Sequence, residues 1–141
     1  MIQQKKYQKH PVNPAQIKRQ LAGAVRRLKA AETVVDEDEE AAYELAYEAM
    51  LKASIALMYS CGKRARSIPG HHVAIIEMAG EVLGPGFREQ MIVFDEMRRN
   101  RNNFMYDAEG FVTDTEARQA IKIAKKYVQG VCSQLKTGVI K

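Results

Sequence analysis

Apolar residues recur at steps of three and four through most of this chain, and turn signals divide that pattern into five stretches. The first opens at "NP", where Asn13 can cap and Pro14 occupies the first turn. Ile17, Leu21, Ala24, Val25, Leu28 and Ala31 follow as one stripe, opposite Lys18, Arg19, Arg26, Arg27 and Lys29. The second starts in "DEDE", with Asp36 as the expected cap and Glu39 at the reciprocal position, and runs to about Ser60. One of its faces carries Ala42, Leu45, Ala46, Ala49, Ala53, Ala56 and Leu57, and another carries Tyr43, Tyr47, Met50, Leu51, Ile55, Met58 and Tyr59. Such a helix is either central in a bundle or uses its second face at a subunit contact. Val73, Ile76, Ala79, Gly80 and Leu83 predict a short third helix that "GPG" at 84–86 ends. The fourth runs from about Phe87 with Met91, Val93, Phe94 and Met97 inward, and "DAEG" forms the next turn. Thr113 and Glu116 make a capping box for the fifth, whose inner face is Ala117, Ala120, Ile121, Ala124, Tyr127, Val128, Val131 and Leu135. No period-2 segment qualifies as a strand. The expected fold is all-α, with four to five helices as antiparallel neighbours in a bundle.

At 141 residues, 46% hydrophobic and 28% charged, with 9 Gly and 4 Pro, the chain has the composition of one globular domain. We place that domain at 14–141, preceded by a basic N-terminal tail at 1–13. No window is apolar enough to span a membrane, and "MIQQKKYQKHPVNP" lacks the apolar run of a secretory signal. Cys61 and Cys132 have no metal-ligand spacing and are expected as small core residues in a cytoplasmic protein; no cofactor motif is present. The net charge of +5 is unevenly spread. Residues 1–31 hold eight Lys or Arg and no acid, whereas "DEDEEAAYELAYE" holds seven acids and no base. Solvated helix surfaces account for such segregation, and it also orients an anionic partner.

Residues 98–107, "RRNRNNFMYD", carry more charge than a helix end needs. Arg98 and Arg101 are three apart, and Met105 is four further on, so they continue the stripe of Phe87, Met91 and Phe94 toward the core. Burying a guanidinium is costly unless it is paired. Its partners here are Asp95, Asp107, a glutamate of another helix, or an external phosphate, whose oxygens match the planar fork of arginine. Asparagine adds a neutral donor. Tyr106 can stack on a base or donate through its hydroxyl, yet with an ordinary pKa of about 10 it is a poor general base. In the purely structural alternative, Arg101 and Asp107 lock the turn and Tyr106 fills the bundle end. His10 lies in the tail, and His71 and His72 read as polar residues opening the third helix. Adjacent helical positions diverge by about 100°, so no shared metal site is expected.

The segments "AYELAYEAMLKASIALMYSCGKRAR", "GHHVAIIEMAGEVLG", "FDEMRRNRNNFMYD" and "TDTEARQAIKIAKKYVQGV" together resemble the HEPN superfamily (higher eukaryotes and prokaryotes nucleotide-binding) over about residues 14 to 136. The most characteristic part is Arg101-Asn102 followed by Tyr106-Asp107. The resemblance implies an up-and-down helical bundle forming a two-fold homodimer, with the motif of each subunit lining a common cleft. It implies RNA or nucleotide as ligand, metal-independent ribonuclease activity in many members, and roles in toxin-antitoxin, phage-defence or RNA-processing systems. A small nucleotidyltransferase accompanies some members. The family motif is an arginine, four intervening residues and a histidine; Arg101 matches the arginine, Tyr106 stands at the histidine position, and His72, in the loop-to-helix turn "GHH", is an alternative contributor to the cleft. Three functions follow as expectations. The first is RNA or nucleotide binding through Arg98, Arg101, Asn102 and Tyr106. The second is a non-enzymatic helical module that dimerises through the second face of helix two. The third is a ribonuclease with Arg101 as electrostatic stabiliser and Tyr106 as proton donor.

Overall fold

The computed structural model describes residues 6–106 and 112–136, without the side chains of residues 102–106 and 136. Five long helices form the body: α1 (Pro14–Val34), α2 (Glu39–Ser60), α3 (His71–Leu83), α4 (Arg88–Tyr106) and α5 (Asp114–Lys136). A 3-10 turn at Pro85–Phe87 leads into α4. The fold is therefore an all-α bundle, as the periodicity predicts.

Local chemistry sets the helix starts. The Asn13 Oδ1 accepts from the Ala15 N–H at 3.0 Å, with Pro14 behind it. Thr113 and Glu116 close the expected box, in which the Glu116 N–H donates to Thr113 Oγ1 and the Thr113 N–H donates back to Glu116 Oε1. The cap of α2 is Asp38 rather than Asp36: Asp38 Oδ1 accepts from the Ala41 N–H at 3.0 Å. Asp36 instead pairs with Arg118 of α5. Both acids suit a helix start, and contact with α5 assigns them different tasks.

α2 is the central helix. It packs against α1, α3, α4 and α5. Ala42, Ala46, Ala49, Ala53 and Ala56 are fully buried, and side chains this small let neighbouring helices approach closely. Its second face is covered too: Tyr43, Tyr47, Met50 and Met58 are buried within the same chain. The central-helix expectation holds; Leu51, Ile55 and Tyr59 of the same face are half-buried against the core.

Aromatic rings run across the bundle interior. Tyr47 meets Phe94 at 5.6 Å between centroids, Phe94 meets Tyr127 at 5.5 Å, and Tyr127 meets Phe87 at 6.3 Å. Tilted and edge-on pairs of this kind add about 0.5–1.5 kcal/mol each beyond area burial. The Tyr127 hydroxyl lies 2.6 Å from Ser54 Oγ, tying α5 to α2, and burial pushes its pKa up. Phe87 is seated against Gly130 of α5, where an added Cβ would come within 2.6 Å of the Phe87 Cζ. A side chain at 130 would push that ring aside.

Two short strands correct the sequence reading. β1 (Tyr7–Lys9) pairs antiparallel with β2 (Lys63–Ala65), in the register Tyr7–Ala65, Gln8–Arg64, Lys9–Lys63. Three residues are too few to show a period, and both strands are rich in cations. Tertiary contacts hold them instead. Gly62, at φ 73°, turns the chain out of α2, and its carbonyl accepts from the His10 N–H at 2.9 Å. The Tyr7 hydroxyl donates to the Ala74 carbonyl of α3 at 2.8 Å. The segment read as a tail thus begins to pack from Lys6 onward, and His10 stacks on Tyr59 at 4.5 Å. Cys61 is exposed beside this ribbon, against the expectation of a core thiol, whereas Cys132 is half-buried against the core.

Candidate functional site

The phase of α4 aims its arginines as the stripe predicts. Phe94 and Met97 are buried, and Arg98 and Arg101, one turn on, are 23% and 30% exposed, low enough that each needs a counter-charge. Arg101 Nε donates to Glu44 Oε1 of α2, one turn before Tyr47. Its guanidinium carbon also sits 5.5 Å from the centroid of the Tyr47 ring, within reach of a cation–π contact. The Glu44 hydrogen bond raises the Arg101 pKa above its usual value. The pairing thus reaches across helices to Glu44. Asp107, the local partner of the structural alternative, lies outside the described residues.

Arg98 Nε donates to Asp95 Oδ1 at 3.0 Å, and Arg99 approaches the other oxygen of Asp95 at 3.6 Å. Three guanidiniums therefore share two carboxylates, Asp95 and Glu44. Among the described residues the cluster is one positive charge in excess.

The group that sequence reasoning undervalued is His72. Its Nδ1 lies 3.0 Å from the Tyr47 hydroxyl, on the ring that Arg101 covers. Burial, then the charges of His71, Arg101 and Arg98, hold its pKa below the ordinary 6.5. Burial also raises the Tyr47 phenol to about 12, so it stays a neutral hydroxyl. A signal for this placement was present: His72 lies four and seven residues before the buried Ile76 and Ala79, on their helical face. His71 is exposed, with its ring edge-on to His72 and its Nδ1 3.1 Å from the Ile68 carbonyl.

Asn100 points elsewhere. Its amide donates to the Tyr43 hydroxyl at 3.0 Å, at the edge of a groove of about 330 Å³ between α4 and α5. That groove holds Glu89, Glu96 and Glu116 and no cation, which disfavours an anion there. Asn102 and Tyr106 continue α4, but their side chains lie outside the described residues. The structure thus brings Arg98 and Arg101 together with Tyr47, Glu44 and His72. Among the described residues no group of three or more His, Cys, Asp or Glu is placed to hold a metal ion, and no helix is long and apolar enough to cross a membrane.

Such a cluster can do three things chemically. The forked donors can grip phosphate oxygens, the imidazole can exchange a proton, and the tyrosine ring fixes both. Comparison with protein-family models, curated proteins and solved structures gives no match.

Proposed function

We propose that this protein binds the phosphate of an RNA or nucleotide at the Arg98–Arg101 cluster, as its resemblance to the HEPN superfamily implies. The observation that carries the reading is the convergence of Arg98, Arg101 and His72 around Tyr47, with three arginines for two carboxylates among the described residues. A phosphate supplies the missing negative charge and suits guanidinium geometry. Asn102 and Tyr106 belong to the proposed site as further donor and stacking groups. The proposed assembly is a cytoplasmic homodimer, and toxin-antitoxin or phage-defence pairing, with a small nucleotidyltransferase as partner, is the context the resemblance suggests. Ile92, 52% exposed on α4, is an apolar position such a dimer would cover.

The test is fluorescence anisotropy with single-stranded RNA over a range of salt. Arg101→Ala is expected to weaken binding and to flatten the slope of log K against log salt by about 0.7, the loss of one phosphate contact. An affinity and slope equal to those of the parent protein would reject the site.

The Arg101–Glu44 pair supports a second reading, a non-enzymatic helical module in which these residues only brace α4 against α2. Under it Arg101→Ala lowers the melting temperature and leaves RNA affinity alone. Ribonuclease activity is the third reading, and His72 bears on it, because an imidazole can take the proton of an attacking ribose hydroxyl where the Tyr106 phenol cannot near neutrality. Cleavage of a mixed RNA pool in chelator, lost in both Arg101→Ala and His72→Ala, is the result expected under it. No cleavage above those controls eliminates it.

A further inference from the structure

A second cationic surface lies across α3 from His72. Ala74, Met78 and Glu81 sit roughly 200°, 240° and 180° around the helix from His72, and the β1–β2 ribbon packs on that side. The pairing register sets Lys9 directly opposite Lys63, on the ribbon face shared with Tyr7 and Ala65. Cross-strand neighbours have Cβ atoms about 5 Å apart, and like charges there repel. Nearby Lys6 has found a carboxylate, Glu77, at 3.4 Å. Among the described residues, Lys9, Lys63 and Arg66 have none within ion-pair distance, and all three are exposed. They line one depression of about 760 Å³ together with Glu81, and Tyr7 and Met78 give it an apolar wall.

The geometry points to a binding site for a small phosphate monoester with an aromatic or aliphatic body, the phosphate between Lys9, Lys63 and Arg66 and the body against Tyr7 and Met78. Three cations and one carboxylate leave two positive charges. A monoester carries about −1.5 to −2 near neutral pH, whereas a diester carries one negative charge. The volume falls within the roughly 300–1,000 Å³ of small-molecule sites, larger than inorganic phosphate needs. The anion also relieves the Lys9–Lys63 repulsion, which gives the ribbon a reason to keep two lysines in register. This site is independent of the arginine cluster and of the function proposed for it.

Calorimetric titration of the full chain with phenyl phosphate tests it. Saturable one-to-one binding is expected, weakened about tenfold by Lys9→Gln or Lys63→Gln and lost in the double variant. Arg66→Gln, outside both strands, should reproduce the weakening without touching their register, and circular dichroism checks that each variant keeps its helices. Arg101→Ala should leave this binding unchanged, which separates the two sites. Inorganic phosphate and methyl phenyl phosphate, a diester, should each bind about tenfold more weakly. The proposal is overturned by the absence of saturable binding up to roughly 10 mM, by equal affinity for the diester, or by undiminished binding in the folded double variant. A 5′-phosphorylated RNA that displaces phenyl phosphate more than about tenfold better would replace the small molecule with a strand end.

Discussion

The two cationic regions flanking α3 hold their charge in opposite ways. On one side Arg98 and Arg101 are half-buried, bonded to Asp95 and Glu44, and braced on an aromatic ring. On the other, Lys9, Lys63 and Arg66 are exposed and, among the described residues, unneutralised. Residue type follows environment. A guanidinium is weakly hydrated and presents a rigid fork, so it tolerates partial burial beside a carboxylate, whereas an ammonium keeps its water. An anion approaching the arginines must share or displace carboxylates that already satisfy them. An anion approaching the ribbon meets hydrated ammonium groups and an adjacent arginine. Fit and orientation therefore favour the first region, and simple charge attraction the second.

The severest way to break this contrast is Tyr47→Ala, which removes a ring with no exposed surface. It should cost about 3–5 kcal/mol in chemical denaturation, because Phe94, Arg101 and His72 all lose a partner. A loss below about 1 kcal/mol would show that the ring does not organise the cluster. Glu44→Gln should cost about 1 kcal/mol or less, since the pair is partly solvated, while RNA affinity rises as a competing carboxylate disappears. Weaker RNA binding in that variant would make Glu44 an organiser of the site rather than a competitor.

A pH series sharpens the comparison further. His72 faces Tyr47 of α2, Arg98 and Arg101 of α4, and His71 of its own helix. Its folded pKa lies below 6.5, so the unfolded chain binds more protons in the window between the two values. The stability it contributes is complete above pH 6.5 and declines as pH falls through that window. Denaturation of His72→Gln should lack this part of the decline, and an unaltered profile would remove His72 as its source. The smallest effect belongs to the ribbon. Lys63→Glu replaces a repulsive cross-strand pair with an attractive one and should gain roughly 0.2–1 kcal/mol while abolishing phenyl phosphate binding. A loss of stability would show that Lys9 and Lys63 do not repel in solution.

Most of the helices were legible because they bury one apolar stripe, and α1 and α5 also announce their starts through Asn13, Thr113 and Glu116. Asp36 and Asp38 were harder to rank, since either acid suits a cap and a contact with Arg118, far off in sequence, decided between them. The inward aim of Arg98 and Arg101 could be read from their spacing to Phe94. Their counter-charge could not: Glu44 is 57 residues away from Arg101, and periodicity within one helix says nothing about which neighbour it meets. His72 was recoverable from its spacing to Ile76, though not its bond to Tyr47. The ribbon left no trace, because three-residue strands owe their existence to Gly62 and to the docking of Tyr7 on α3.

The missing side chain at Gly130 has a consequence for the distant guanidinium groups. Phe87 immediately precedes α4 and is seated in that notch, which ties the azimuth of the helix at its first turn to α5. Arg101 lies thirteen residues past Arg88, about 20 Å along the axis, and inherits that angle as the tip of a rod inherits the twist of its handle. A methyl group at residue 130, touching nothing charged, would therefore detune the cluster from the opposite end of the bundle.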